Sequence, residues 1–202
     1  MRPMTARETE LIRRAAAGDR EAFDGLLAPR WERIFRIALR IVGHWDEAQD
    51  VAQQACLRLW EKLGRFELGE DLDGWIYRIV ANLSIDALRR RRARPEAPMP
   101  EELASSSSPA LHAKGASPEA RVLARELERA LEVLTAALPP RQKAVFVLSR
   151  VEGLSAAEIA RVLSIAPSTV RNHLFQLRVV LARGLKERFP GLLGTGEGAD
   201  DD

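Results

Sequence analysis

The sequence predicts an all-α protein built as two small helical domains joined by a flexible linker. Apolar residues recur at helical spacing through most of the chain, and no stretch alternates with period two for long enough to indicate a strand. Residues 95–118 are instead rich in Pro, Ser, Ala and Glu and carry no periodic apolar pattern, which is typical of a linker. A length of 202 residues is enough for two small domains on either side of it.

The overall charge is close to balanced, with 31 Lys+Arg against 29 Asp+Glu and a net charge of +2. Affinity for phosphates must therefore come from local clusters of charge. One such cluster is residues 141–188, which hold nine basic and three acidic residues. The Gly-rich stretch 189–202 ends in four acidic residues from Glu197 onward and is predicted to be a disordered acidic tail.

Several classes of protein are disfavoured by residue usage. The single cysteine, Cys56, excludes an intramolecular disulfide and is predicted to lie in the core. No long apolar run and no signal-like N-terminus occur, so we expect a cytoplasmic protein. The three histidines, His44, His112 and His173, are far apart, and no Gly-rich phosphate loop follows a strand. We therefore expect no metal site, no cofactor and no enzyme active site.

The first helices have recognisable ends. Asp19 is a cap for a helix from Arg20, Pro29 separates that helix from the next, and Gly43 ends the second one. Asp46 is the predicted cap of a helix over residues 47–63, with an apolar face of Ala, Val and Leu. Its opposite face is polar and free for a partner, and it carries Asp46, Asp50 and Gln53.

A further helix over residues 72–93 ends in a run of arginines, which suits either DNA binding or a solvated helix end. Four of its residues point away from the predicted core: Asn82, Asp86, Arg89 and Arg90. The amide of Asn82 can read an exposed base edge. In the preceding loop, Arg65 adds positive charge, and Phe66 either stacks on an unpaired base or fills the core.

The C-terminal half predicts a helix-turn-helix. Helix resumes at Ser117 with Pro118 in its first turn, and a capping box from Ser155 to Glu158 opens a short helix. A turn at 164–166 follows, and Pro167 begins the second helix. Serine at 164 departs from the glycine common at this turn, where a positive φ would strain it. Residues of the second helix available for a major groove are Ser168, Thr169, Arg171, Asn172, Phe175, Gln176 and Arg178. A plain helical bundle with a basic face is the alternative.

Taken in order, these segments resemble the bacterial sigma-70 family, in its small extracytoplasmic-function (ECF) group. The resemblance rests on Ala22-Phe-Asp24, Asp46-Glu-Ala-Gln-Asp-Val-Ala-Gln53, Trp75-Ile-Tyr-Arg-Ile79, Asn82-Leu-Ser-Ile-Asp-Ala-Leu-Arg89, and Leu138-Pro139 through Leu174. It implies that residues 8–94 form sigma region 2 and residues 119–188 form sigma region 4, without the middle domain of larger sigma factors.

The resemblance also implies partners. Core RNA polymerase would bind Asp46, Asp50 and Gln53 through its β′ clamp and region 4 through its β flap, and an anti-sigma factor is a further candidate partner. Residues implied for the minus-10 element are Arg65, Phe66, Asn82, Asp86, Arg89 and Arg90. Those implied for the minus-35 element are Ser168, Thr169, Arg171, Asn172, Phe175, Gln176 and Arg178. The family often has acidic residues at Gln49 and Gln54 and an aromatic at Cys56, so this docking face is less charged.

Two other functions fit parts of the sequence. A free-standing helix-turn-helix regulator would bind duplex DNA alone, usually as a dimer on paired half-sites. A helical adaptor that binds only proteins would leave the arginine run unexplained. The linker also sets a reach: 24 residues span roughly 25–30 Å as a flexible chain and at most about 80 Å. Two promoter elements two duplex turns apart are separated by roughly 70 Å.

Overall fold

The computed structural model describes residues 4–93 and 117–189, and within these ranges it is helical with no β-strand, which confirms the all-α prediction. The N-terminal domain consists of α1 (Ala6–Ala16), α2 (Arg20–Leu27), α3 (Trp31–Val42), α4 (Trp45–Lys62) and α5 (Leu72–Arg92). Short 3-10 turns lie at Ala28–Arg30 and Leu63–Arg65. The C-terminal domain consists of α6 (Pro118–Ala136), α7 (Pro140–Arg150), α8 (Ala156–Leu163) and α9 (Pro167–Arg188). The predicted linker, apart from Ser117 and Pro118, and the acidic tail beyond Phe189 lie outside the described residues.

Most predicted helix ends are confirmed. Asp19 caps α2 by accepting a hydrogen bond from the backbone N–H of Ala22, and Ser117 caps α6 in the same way from Ala120. Gly43 ends α3 with φ of 76°, a left-handed conformation that glycine adopts without steric cost. None of the helices in the described ranges is both long and apolar enough to cross a bilayer.

Two helix starts differ from the prediction. α1 was not predicted, although Thr5 and Glu8 form a complete capping box at its start. α4 begins at Trp45 with His44 as its cap residue, so Asp46 lies in the first turn and does not cap the helix. The earlier start coincides with an edge-on contact between Trp45 and Phe35, whose ring centroids are 4.6 Å apart. Asp46 still lies where a negative charge favours the helix dipole.

The core of the N-terminal domain lies between α3, α4 and α5. α3 contributes fully buried isoleucines, and α4 faces them with the predicted stripe of small and branched residues, which is confirmed as buried. Trp60 packs edge-on against Phe23 at 5.0 Å, and Trp60 and Trp75 are both packed against this core, as predicted. Cys56 is half-buried, and desolvation raises the pKa of its thiol, which disfavours the reactive thiolate.

In the C-terminal domain α7 and α8 pack on α9, and α6 runs against the far end of α9. Gly184 lies at that crossing, where a Cβ would overlap the side chain of Leu134. A glycine within a helix costs up to about 1 kcal/mol relative to alanine, and here it allows close approach of the two helices.

The two domains are in contact. α3 packs against α7, and α5 packs against both α7 and α8. Apolar residues of both domains consequently belong to one continuous buried cluster, which joins Ile37 and Ile76 to Val145 and Ile159. The sequence predicts two domains on a tether, and nothing in its periodicity predicts that they pack together.

Candidate nucleic-acid interface

The predicted helix-turn-helix is present as α8, a tight turn and α9. Ser155 and Glu158 form the predicted capping box at the start of α8. Ser164 ends α8 in a left-handed conformation, with φ of 52° and ψ of 50°, and within the described ranges no other non-glycine residue has positive φ. The backbone N–H of Ile165 then reaches back to the carbonyl of Ala160 at 3.0 Å, closing the turn. The chain can thereby redirect into α9 within three residues.

One face of α9 anchors the helix, and the other is open to solvent. Val170 and Leu177 are buried, and Leu174 is half-buried against them. All seven residues predicted to face DNA are exposed: Ser168, Thr169, Arg171, Asn172, Phe175, Gln176 and Arg178. This is the arrangement of a recognition helix, which offers its first turns to the edges of base pairs.

The exposed face of α9 is only lightly tied to the rest of the protein. Gln176 accepts a hydrogen bond from the side-chain amide of Gln142 at 2.9 Å, which orients it. Within the described ranges Arg171 has no hydrogen-bond or ion-pair partner, so its guanidinium is free to bind a guanine or a phosphate. Burial and the positive charge of Arg141 lower the pKa of His173, which favours its neutral form. The positive charge of this face thus comes from its arginines.

A second polar stripe runs along α5. Asn82, Asp86, Arg89 and Arg90 are all exposed, and their spacing places them along one side of the helix. Asp86 and Arg89 form a loose surface pair at 3.6 Å, which leaves both groups accessible to a ligand. Arg90 has no partner among the described residues.

The two other arginines of α5 in this run, Arg91 and Arg92, have partners within the protein. Arg91 contacts Glu47 at 3.1 Å and donates to the carbonyl of Val42 at 2.9 Å. Arg92 donates to the carbonyl of Leu138 at 2.7 Å. Only part of the run is therefore available to DNA in this arrangement, and the part that is available includes Arg89 and Arg90.

The loop before α5 corrects one of the predicted contacts. Arg65 is exposed at the end of a 3-10 turn, but the side chain of Phe66 is only 8% exposed and packs against Trp75, with ring centroids 5.2 Å apart. The turn directs this ring inward, so it offers no surface on which a base could stack. The structure supports the core alternative for Phe66.

The polar face of α4 is exposed as predicted at Asp46, Asp50 and Gln53. One residue of this face was missed: Leu57 follows Gln53 by one helical turn and is 64% exposed. A large apolar side chain next to a polar stripe is a common feature of protein interfaces. The spacing of four residues from Gln53 was the signal that could have identified it.

Two family models match the chain. The model for sigma-70 region 2 covers residues 32–94, and the model for sigma-70 region 4 covers residues 128–181. Each match falls in one of the two domains, with α1 and α2 outside the first, and together they include the exposed faces of α4, α5 and α9.

Full-length relatives support the same assignment. The chain is 32% identical to the ECF RNA polymerase sigma factor SigM of Mycobacterium tuberculosis, over 94% of this chain and 87% of that protein. It is 31% identical to the RNA polymerase sigma-H factor of Pseudomonas aeruginosa, over 89% and 94% respectively. It is 28% identical to SigW of Bacillus subtilis, over 87% and 95%.

Solved structures share the fold. CnrH, solved with the cytosolic domain of CnrY, is 22% identical with a TM-score of 0.63, covering 90% of this chain and 99% of that one. RpoE of Bartonella quintana, solved with the anti-sigma factor NepR, is 20% identical with a TM-score of 0.59, covering 81% and 96%. Together with the sequence relatives, the two family models establish that the chain belongs to the ECF group of the sigma-70 family of RNA polymerase sigma factors.

Proposed function

We propose that this protein directs promoter-specific initiation by RNA polymerase through two DNA-binding faces, one on each domain. The observation that carries the proposal is the pair of exposed polar stripes, on α5 and on α9, in a chain that belongs to the sigma factors. A single stripe would suit any DNA-binding helix. Two stripes on two domains suit a protein that must contact two separate elements.

The residues of each stripe suit different DNA. Arg171, Asn172 and Gln176 are the side-chain types that form paired hydrogen bonds with guanine or adenine in the major groove, so α9 is proposed to read the duplex minus-35 element. On α5, the amide of Asn82 is proposed to contact an unpaired base of the minus-10 element. Arg65, Arg89 and Arg90 are proposed to hold the phosphates nearby.

The exposed face of α4 is the proposed docking surface for core polymerase. Asp46 and Asp50 supply negative charge, and Leu57 supplies an apolar contact that a partner helix can bury. A positively charged surface of the polymerase would complement this face. The proposed partner elements are the β′ clamp for α4 and the β flap for the C-terminal domain.

A free-standing helix-turn-helix regulator is the second candidate, and it accounts for α9 alone. It leaves unexplained the α5 stripe and the polar face of α4. The solved relatives were obtained with the cytosolic domain of CnrY or with the anti-sigma factor NepR, so an inhibitory protein partner is proposed here as well. The role proposed is one of binding, without catalysis, in the cytoplasm where the polymerase acts.

Purification with core RNA polymerase separates the two candidates. A sigma factor is expected to co-purify with core enzyme and to give promoter-specific transcripts from a reconstituted holoenzyme. A free-standing regulator is expected to bind duplex DNA without core enzyme and to remain separate from it. The control is a variant with Asp50→Lys on the α4 face, which should weaken binding to core enzyme without unfolding the chain.

A further inference from the structure

One buried carboxylate supplies ion pairs to the contact between the two domains, in addition to the apolar cluster that they share. Glu152, which follows α7, has a side chain only 2% exposed. Its Oε2 lies 3.1 Å from Nε of Arg33, and its Oε1 lies 3.5 Å from Nη2 of Arg36. Arg33 also donates to the hydroxyl of Tyr77 at 2.8 Å, which fixes its orientation. Within the described ranges, every ion pair between the domains involves Glu152.

Other polar contacts across the boundary run from arginines of the N-terminal domain to the ends of helices in the C-terminal domain. Arg92 donates to the carbonyls of Leu138 and Ala136, just beyond and at the end of α6. Arg78 donates to the carbonyl of Arg161 in the last turn of α8 at 2.9 Å. The last carbonyls of a helix lack partners within it and favour a cation, so these bonds satisfy groups that otherwise need water.

The same boundary also contains repulsion. Lys143 of α7 is 7% exposed and lies near Arg91 and Arg92 of α5. Burial and these two positive charges lower its pKa to about 8. Arg91 and Arg92 repel Lys143 across the boundary, with Glu132 of its own domain acting in the opposite sense, whereas Glu152 attracts Arg33 and Arg36. A partner that binds the open state better shifts this balance by its difference in affinity for the two states.

The closed arrangement leaves the proposed binding surfaces uncovered. Asn82 and Arg90 on α5, Arg171 on α9 and Asp50 on α4 are all exposed while the domains touch. Closure instead limits the distance between the two domains. A compact chain of this length has a radius of gyration of about 17 Å and hence a diameter of about 43 Å. Two elements roughly 70 Å apart lie beyond its reach.

We propose that Glu152 is a latch, whose ion pairs with Arg33 and Arg36 hold the two domains of the free protein in the closed arrangement. The latch is a property of the isolated chain, and only its opening by core polymerase rests on the proposed function. The polymerase favours the open state because it binds the two domains at separate places. The closed state therefore disfavours contact of the free protein with a promoter.

The latch can be tested by measuring a distance within the full chain. Spin labels on cysteines placed at Glu61 in α4 and Ala182 in α9, both exposed, report separation of the domains when Cys56 is replaced by alanine. The labelled protein is expected to show one short, narrow distance distribution. Glu152→Gln is expected to raise the ratio of open to closed molecules by about tenfold or more, because hydrogen bonds to charged groups are the stronger ones. Glu10→Gln, in an exposed pair with Arg13, is the matched control and should change nothing.

Charge-reversal variants distinguish loss of the ion pair from loss of folding. Glu152→Arg should open the chain, and adding Arg36→Glu should restore part of the short-distance population. A broad, long distribution in the unmutated chain would overturn the latch, as would equal distributions in the unmutated and Glu152→Gln chains. Core polymerase should lengthen the distance. If the latch behaves as expected but core enzyme neither binds nor lengthens the distance, the proposed function fails and the latch stands.

Discussion

Replacing Ser164 by glycine is expected to stabilise the C-terminal domain. Ser164 is held at φ of 52° and ψ of 50°, a conformation that costs an ordinary residue about 1–2 kcal/mol. Glycine removes this cost but also stabilises the unfolded state by about 0.4–1 kcal/mol, because its backbone has more conformational freedom. Because the Ser164 side chain is exposed, little packing is lost. The net gain expected for Ser164→Gly is about 0.5–1 kcal/mol.

The measurement must report the unfolding of each domain individually. The four tryptophans, Trp31, Trp45, Trp60 and Trp75, all lie in the N-terminal domain, so their fluorescence reports its unfolding. Hydrogen exchange of the backbone amides in α8 and α9 reports the C-terminal domain. Their exchange in Ser164→Gly should slow by about two- to fivefold, which corresponds to the expected gain. Because the domains share a buried cluster, a small parallel shift in the fluorescence midpoint is also expected.

Ala182→Gly is the matched control, since it introduces the same residue at an exposed position within α9. Because this site has right-handed helical geometry, the change should lower the free energy of unfolding by about 1 kcal/mol. If glycine slows exchange at position 164 but speeds it at position 182, the gain at position 164 comes from relief of backbone strain. Faster or unchanged exchange in Ser164→Gly, with Ala182→Gly behaving as expected, would show that the left-handed turn is not under strain.

Three further results are expected. Arg171→Ala should lose about 1–3 kcal/mol of discrimination at one base pair of the minus-35 element, whereas Arg90→Ala should weaken binding to all sequences and make it less dependent on salt. Titration of the holoenzyme on promoter variants at two salt concentrations distinguishes the two effects. If both variants lost affinity equally for all sequences, the proposed role of Arg171 would be contradicted. Asp50→Lys should reduce capture of core polymerase while its unfolding free energy changes by less than about 0.5 kcal/mol, and undiminished capture would remove this face from the interface. The backbone N–H of Thr5 and the Arg30 guanidinium hold the pKa of Glu8 at about 2, so its carboxylate stabilises the fold fully above the ordinary value of 4.5 and loses that effect as pH falls toward 2. Glu8→Gln should therefore cost about 1–3 kcal/mol at pH 7, and a difference in urea stability that persists at pH 2 would refute the assignment.

Local chemistry explains which parts of the fold could be predicted. Asp19, Gly43 and the box from Ser155 to Glu158 each act within a few residues, so the pattern alone locates the ends of their helices. The box formed by Thr5 and Glu8 has the same form and was available in the sequence, yet α1 was not predicted. The start of α4 at Trp45 coincides with a contact to Phe35 ten residues earlier, which no capping rule captures.

The residues of the candidate sites also differ in whether local sequence patterns predict them. Periodicity correctly indicates that the seven residues of α9 and the four of α5 are exposed, because the apolar stripe of each helix fixes its opposite face. It cannot decide the direction of Phe66, which follows a 3-10 turn and has no periodic neighbours. Packing between the domains was also beyond prediction, since Glu152 meets Arg36 across more than a hundred residues of chain.

Two arginines that cross the domain boundary, Arg78 and Arg92, bond to backbone carbonyls, and this has a genetic consequence. Every amino acid supplies a carbonyl, so substitutions at Ala136, Leu138 or Arg161 leave the acceptors of Arg92 and Arg78 in place. Glu152 is different because its contribution resides in the side chain. The ion pairs described between the domains thus all depend on a single codon in the C-terminal half. If Glu152 acts as the proposed latch, one substitution in a homologous chain weakens the closed state without any change in the residues proposed to touch DNA.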